Sequence, residues 1–170
     1  MGAQLDNVLV KAAFATGCFW SVEVAFRQAE GVVMTSMAYC GGDLLNPNYE
    51  KVHTGRSGHA ELVQVTFDPG RVSYEDLLAF FWLCHDLRQL NRQYPDVSSQ
   101  YGSAVFCQDD DQGSAPEAAR QALVASGEAS GTVVTEILML SNYFGAEDYH
   151  QQYMEKRGMA VPVSLTASRI

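Results

Sequence analysis

Two strand-like segments, 31–42 and 60–70, follow one another with no helical pattern between them, and this adjacency limits how the chain can fold more than any other feature. The first, GVVMTSMAYCGG, is rich in β-branched residues and ends in a glycine pair. The second, AELVQVTFDPG, alternates Leu62, Gln64 and Thr66 with Val63, Val65 and Phe67 and stops at Pro69-Gly70, so it predicts a half-buried strand. A doubly wound sheet places a helix after each strand, and two strands in succession exclude it.

The flanking segments complete the pattern. Residues 8–16, VLVKAAFAT, read as a mostly buried strand that Gly17 breaks before a helix over about 18–28. Ser73, followed by Glu75-Asp76, caps a helix with dense apolar positions Leu77, Leu78, Phe80, Phe81 and Leu83, ending near His85. AVFCQ at 104–108 is a short strand, 109–126 an N-capped helix with Pro116 near its start, TVVTEILML a further strand, and 145–158 a short helix or turn. The order β-α-β-β-α-β-α-β predicts an α+β two-layer sandwich, a ferredoxin-like mixed β-sheet with flanking helices and long ordered loops. Two of those loops, 43–59 and 86–103, lack sustained periodicity and are where function is expected to concentrate.

A chain of 170 residues fits one domain, with a core over about 8–155 and a polar tail over about 156–170. A net charge of −9 with no basic stripe argues against nucleic acid as a partner. No apolar run approaches the ~20 residues needed to span a bilayer, so a cytoplasmic monomer is expected. Cys18, Cys40, Cys84 and Cys107 are irregularly spaced, with no CxxC pair, which predicts free thiols and no metal.

Cys18 in TGCFW stands at the start of the first helix. Unpaired backbone N–H groups and the helix dipole there favour thiolate over thiol. The alternative is a small buried core residue. Phe19 and Trp20 follow directly, and two adjacent bulky rings in a first turn suggest an apolar cup beside the sulfur. A Cys–His pair for acyl transfer has four imidazoles to draw on, His53, His59, His85 and His150, none in a protease signature. The long loops and the strand between them also supply acids and phenols: Tyr49, Glu61, Asp96 and Tyr101.

GCFW at 17–20, NPNYEKVHTGRSGHAE at 46–61, HDLRQLNRQYPDVSSQYGSAVF at 85–106 and AEDYHQQY at 146–153 together resemble peptide methionine sulfoxide reductase of the A type, over residues from about 10 to about 155. The resemblance implies Cys18 as the nucleophile toward sulfoxide sulfur and Glu61 as the acid that protonates the sulfoxide oxygen. It implies Tyr49 and Tyr101 as phenols that bind that oxygen, Asp96 as an acidic member of the site, and Phe19 with Trp20 as receptor for the substrate's S-methyl group; His59 of the GHAE segment is a further substrate-binding candidate. It further implies reduction of methionine (S)-sulfoxide, free or in proteins, through a Cys18 sulfenic acid, as repair of oxidative damage. No cofactor is implied, and a thiol reductant such as thioredoxin regenerates the enzyme. The chemistry is coherent, because sulfoxide sulfur becomes electrophilic only when its oxygen is stabilised, and burial beside aromatic rings raises a carboxyl pKa enough to keep it protonated.

The sequence departs from the family pattern where KRGMAVPVSLTASRI carries no thiol, while Cys40 stands in AYCGG. Cys40 is therefore the internal resolving candidate, against a one-cysteine cycle that uses an external thiol directly. Two other functions compete: a cysteine-dependent acyl-transfer enzyme using Cys18 with His59 or His150, and a non-catalytic module that binds methionine-containing peptides through Phe19 and Trp20.

Overall fold

A computed structural model describes residues 8–93, 96–129 and 131–159, so most of the expected polar tail lies outside the described residues. The elements are β1 (Val10–Thr16), α1 (Phe19–Arg27), β2 (Val32–Cys40), α2 (Tyr49–His53), β3 (Ala60–Phe67), α3 (Tyr74–Leu83), β4 (Arg92–Gln93), β5 (Asp96–Val97), a 3₁₀ turn (Ser99–Tyr101), β6 (Ser103–Cys107), α4 (Asp110–Ser126), β7 (Glu136–Met139), β8 (Phe144–Gly145) and α5 (Tyr153–Lys156).

The main sheet has the order β7-β6-β1-β3-β2-β8. Every pairing in it is antiparallel except β6 with β7, whose connection runs through α4. Its four central strands, with α1 and α3, form the split β-α-β-β-α-β arrangement expected from the sequence. The adjacent strands β2 and β3 pair directly, placing Tyr39 opposite Glu61.

Alternation sorts the side chains into two layers. Phe14, Tyr39, Val63, Val65 and Val105 face α1 and α3 in the larger core, where Phe14 stacks on Phe26 with ring centroids 4.9 Å apart. Each such buried phenylalanine contributes about 2 kcal/mol through the apolar area it removes from water. The opposite face carries Ala13, Ala15, Ala38, Cys40, Leu62 and Phe106. Here the half-buried reading of β3 is corrected: Leu62 is fully buried and Thr66 nearly so, because loops cover this face as well.

Helix signals were mostly local and legible. Ser73 and Asp76 form a reciprocal capping box on α3, and Asp109 accepts the Gln112 amide at the start of α4. Because α4 begins at Asp110, Pro116 is its seventh residue and lies inside the helix rather than in its first turn. The loops contain more structure than expected. Asn48 caps α2 by accepting from Lys51 N, and the 86–103 loop holds the β4–β5 ribbon and the 3₁₀ turn. The predicted strand at 132–140 shrinks to the four residues of β7.

Candidate active site

The turn between β1 and α1 is built on Gly17. Its φ of +107° is open only to glycine among ordinary residues, and a Cβ there would sit 2.8 Å from the Gln93 side chain. Cys18 takes the N-cap position of α1 and is half-buried. Phe19 begins the helix, and its backbone N–H donates to Glu61 Oε2 at 3.3 Å. Strand β3 thus delivers the carboxyl to the residue next to the thiol.

Glu61 is 1% exposed. Its other oxygen, Oε1, accepts from Gln100 Nε2 at 3.3 Å. Burial pushes its pKa up to about 7, against the lowering effect of the Phe19 and Gln100 donors, and nearby Asp96 adds to the rise. The direction is the one a proton donor at neutral pH requires.

For Cys18 the sequence expectation is reversed. Burial raises its thiol to about 11; the amides of Trp20 and Ser21 pull the other way, and the charges of Glu61 and Asp96 reinforce the rise. The helix start does favour thiolate, but two amides lose to desolvation and two neighbouring carboxylates. The resting sulfur carries its proton.

Tyr49, Tyr101 and Asp96 come from three separate elements to the same place. Both phenols are raised by burial and then by the charges of Glu61, Cys18 and Asp96, so they stay protonated donors. Asp96 lies in β5, paired with Gln93.

The two rings of the expected cup play different parts. Phe19 is 1% exposed and lies beneath the site against Tyr39 and His150. Trp20 remains partly open. Tyr153 stacks on its indole at 3.8 Å with planes 5° apart, and the indole N–H donates to His150 Nδ1 at 2.9 Å. His150, fully buried, is therefore neutral, as burial dictates against the opposing Glu147 charge. Glu147 accepts from Tyr39 Oη at 2.7 Å and from the Tyr49 amide at 2.8 Å, so one carboxylate ties α2 to β2 behind the site. Burial works to raise Glu147 but is outweighed by those two donors and by His150, leaving it below its ordinary value.

Sequence reasoning missed Gln100, Glu147 and Tyr153 as parts of this assembly, and named His150 only as an imidazole for acyl transfer. All four stood within the quoted segments SSQYGS and AEDYHQQY, and nothing local distinguished Gln100, Glu147 and Tyr153 from solvated polar residues.

Two of the expected site residues are held by partners of their own. His59 is 1% exposed, its Nδ1 accepts the Gly42 amide at 3.2 Å, and its Nε2 donates to Leu44 O at 2.8 Å. Both nitrogens are used in holding the 41–44 loop, so the ring has none left for substrate. Cys40 is fully buried, alternates onto the opposite sheet face from Glu61, and donates from Sγ to Ser141 O at 2.8 Å. Its sulfur is thus on the sheet face opposite Glu61 and already has a partner.

The acyl-transfer alternative loses its imidazoles to other partners. His59 and His150 are engaged as above, His85 bridges Phe81 O and Ser103 Oγ, and His53 Nδ1 faces Gln100.

The sequence profile of peptide methionine sulfoxide reductase matches residues 10–167. The chain belongs to the peptide methionine sulfoxide reductase family. This reductase is 52% identical over 146 residues to the peptide methionine sulfoxide reductase MsrA of Methanothermobacter thermautotrophicus, covering 86% of each chain. Among solved structures it is similar to methionine sulfoxide reductase A of Corynebacterium diphtheriae, with a TM-score of 0.80, 32% identity and coverage of 94% of this chain and 80% of that one. It is similar also to Mxr1 from Saccharomyces cerevisiae in reduced form, with a TM-score of 0.82, 27% identity and coverage of 91% and 90%.

Proposed function

We propose that this reductase converts methionine (S)-sulfoxide, free or in proteins, to methionine by direct attack of Cys18 on sulfur, with Glu61 as the acid. The observation that carries the reading is Glu61 itself: a carboxyl 1% exposed, raised to about 7, and held by the amide adjacent to the nucleophile.

With both Glu61 oxygens already accepting hydrogen bonds, its acidic proton is the one group it offers to an incoming oxygen. Proton donation there, with hydrogen bonds from Tyr49 and Tyr101, makes the sulfoxide sulfur electrophilic. With its own proton passed to Glu61, Cys18 attacks as thiolate and an S–S bond forms as the protonated S–O bond breaks; the hydroxide so released adds to Cys18 sulfur as the S–S bond breaks and methionine leaves. Sulfoxide plus thiol becomes thioether plus sulfenic acid, with methionine reduced and Cys18 oxidised. Trp20 supplies the apolar surface for the S-methyl group, and Phe19 supports it from below.

The sulfenic acid returns to thiol by reaction with two equivalents of an external thiol, giving one disulfide and water. The burial of Cys40 on the other face supports a cycle in which Cys18 is the one internal redox residue. Mxr1 has been solved in complex with Trx2, which suggests a thioredoxin-type dithiol as donor here. No helix among the described residues is long and apolar enough to cross a membrane, in keeping with a cytoplasmic repair role.

Single-turnover assays with each epimer test the reading. One methionine released per chain from the S epimer alone, with loss of the Cys18 thiol, is the expected result; Cys18→Ser should abolish it and Glu61→Gln should lower the rate by about 10²- to 10⁴-fold. Sulfoxide binding without loss of thiol titre would instead identify a non-catalytic binding module.

A further inference from the structure

Glu23 is a carboxylic acid with 1% exposure that the proposed chemistry does not use. It stands one helical turn beyond Trp20 on α1. Its Oε1 accepts from Thr35 Oγ1 at 3.0 Å, and its Oε2 accepts from the backbone N–H of Gln152 at 2.8 Å. Arg27, one turn further along, donates to the same Thr35 hydroxyl and to Glu155 Oε1 at 2.8 Å, lacing α1 to α5 a second time.

Gln152 is an unusual place for such an anchor. It adopts φ +53° and ψ +38°, a left-handed conformation that a glutamine rarely takes, and it is the N-cap residue of α5. The next residue is Tyr153, whose ring lies on Trp20 at 3.8 Å; two residues before it is His150, which accepts the indole N–H. A buried carboxylate is disfavoured by desolvation, and burial does raise Glu23, opposed by its two donors and by Arg27. An apolar residue of similar size would fill the same space without that cost but offers the Gln152 amide no acceptor.

We propose that Glu23 is a positioning residue for the substrate's methyl side: through the Gln152 amide it holds the left-handed turn that seats Tyr153 on the face of the Trp20 indole and His150 at its N–H. This rests on the reading of Trp20 as the methyl receptor, and the experiment separates the two ideas.

In a Trp82→Phe background Trp20 is the one tryptophan, so its fluorescence reports the seat without catalysis. Glu23→Leu should expose Trp20 to acrylamide quenching and red-shift its emission, and should raise KM for methionine sulfoxide by about tenfold with kcat within about twofold. Glu23→Gln keeps an acceptor for Gln152 and should restore both. Unchanged emission and quenching in Glu23→Leu, or a Glu23→Gln that behaves like Glu23→Leu, overturns the proposal. If Glu23→Leu does not fold by circular dichroism, Thr35→Val, which removes the donor to the other oxygen, should move both readouts in the same direction by a smaller factor, and no movement overturns it. A Trp20→Leu variant with unchanged KM would sink the receptor reading alone, leaving the fluorescence result to decide Glu23.

Discussion

Glu61 accepts the amide hydrogen of Phe19 at 3.3 Å, so the carboxyl and the thiol of Cys18 are joined through a single residue of backbone. That link fixes the carboxyl relative to the thiol without any side chain between them. Gln100 locks the second oxygen from the other side.

The protonation of this pair predicts a pH profile. In the proposed reaction, attack needs one proton in total, on Glu61, with Cys18 as thiolate. Glu61 takes its proton at about 7 and Cys18 keeps its own up to about 11, so below about pH 7 the pair holds two. The single-turnover rate constant should fall about tenfold per pH unit below that point and stay level above it toward about 11. Rapid-quench measurement of methionine release across pH checks this, and a plateau that continues down to about pH 5 would count against it.

Stability should show the same group from another side. Because burial raises Glu61 from its ordinary value of 4.5 to about 7, the folded state binds its proton more tightly than the unfolded chain. The stabilisation is fully present below about 4.5 and is lost as pH rises through about 7, about 3 kcal/mol in all. Urea unfolding from about pH 4 to pH 9 should therefore fall off more steeply in the parent than in Glu61→Gln, which has no proton to lose.

Trp20→Phe keeps most of the ring and removes the indole N–H. It leaves the fully buried His150 Nδ1 without its 2.9 Å donor, which should cost about 1–3 kcal/mol of folding stability. Denaturant titration gives the value; a loss below a few tenths would mean that His150 finds another donor.

Cys40→Ala should leave the oxidation chemistry untouched. In the parent protein, after one equivalent of methionine sulfoxide, peptide mapping should find Cys18 trapped as a sulfenic acid adduct and Cys40, Cys84 and Cys107 still reduced. A Cys18–Cys40 disulfide would overturn the one-cysteine cycle.

Much of the fold was legible because its signals are local. Gly17, the Ser73–Asp76 box, Asp109 and the alternation in β3 each act within a few residues, and each appears where the sequence places it. Helix α2 was not, because five residues are too few to establish a period against Pro47 and the neighbouring glycines. The second buried face of β3 was not, because loop residues distant in sequence cover it.

Chemical identity was fixed by residue type and order: a thiol after Gly17, a carboxyl closing GHAE, two phenols and an indole are the groups sulfoxide reduction requires, and the chain alone supplies them. Tertiary structure decided what state and company each group keeps. Whether Cys18 rests as thiol or thiolate depends on burial competing with helix amides, and whether His59 or Cys40 can act depends on which atoms of distant loops and strands have already claimed them. Desolvation and hydrogen-bond partnership are sums over neighbours in space, and no local reading of a linear sequence contains those sums.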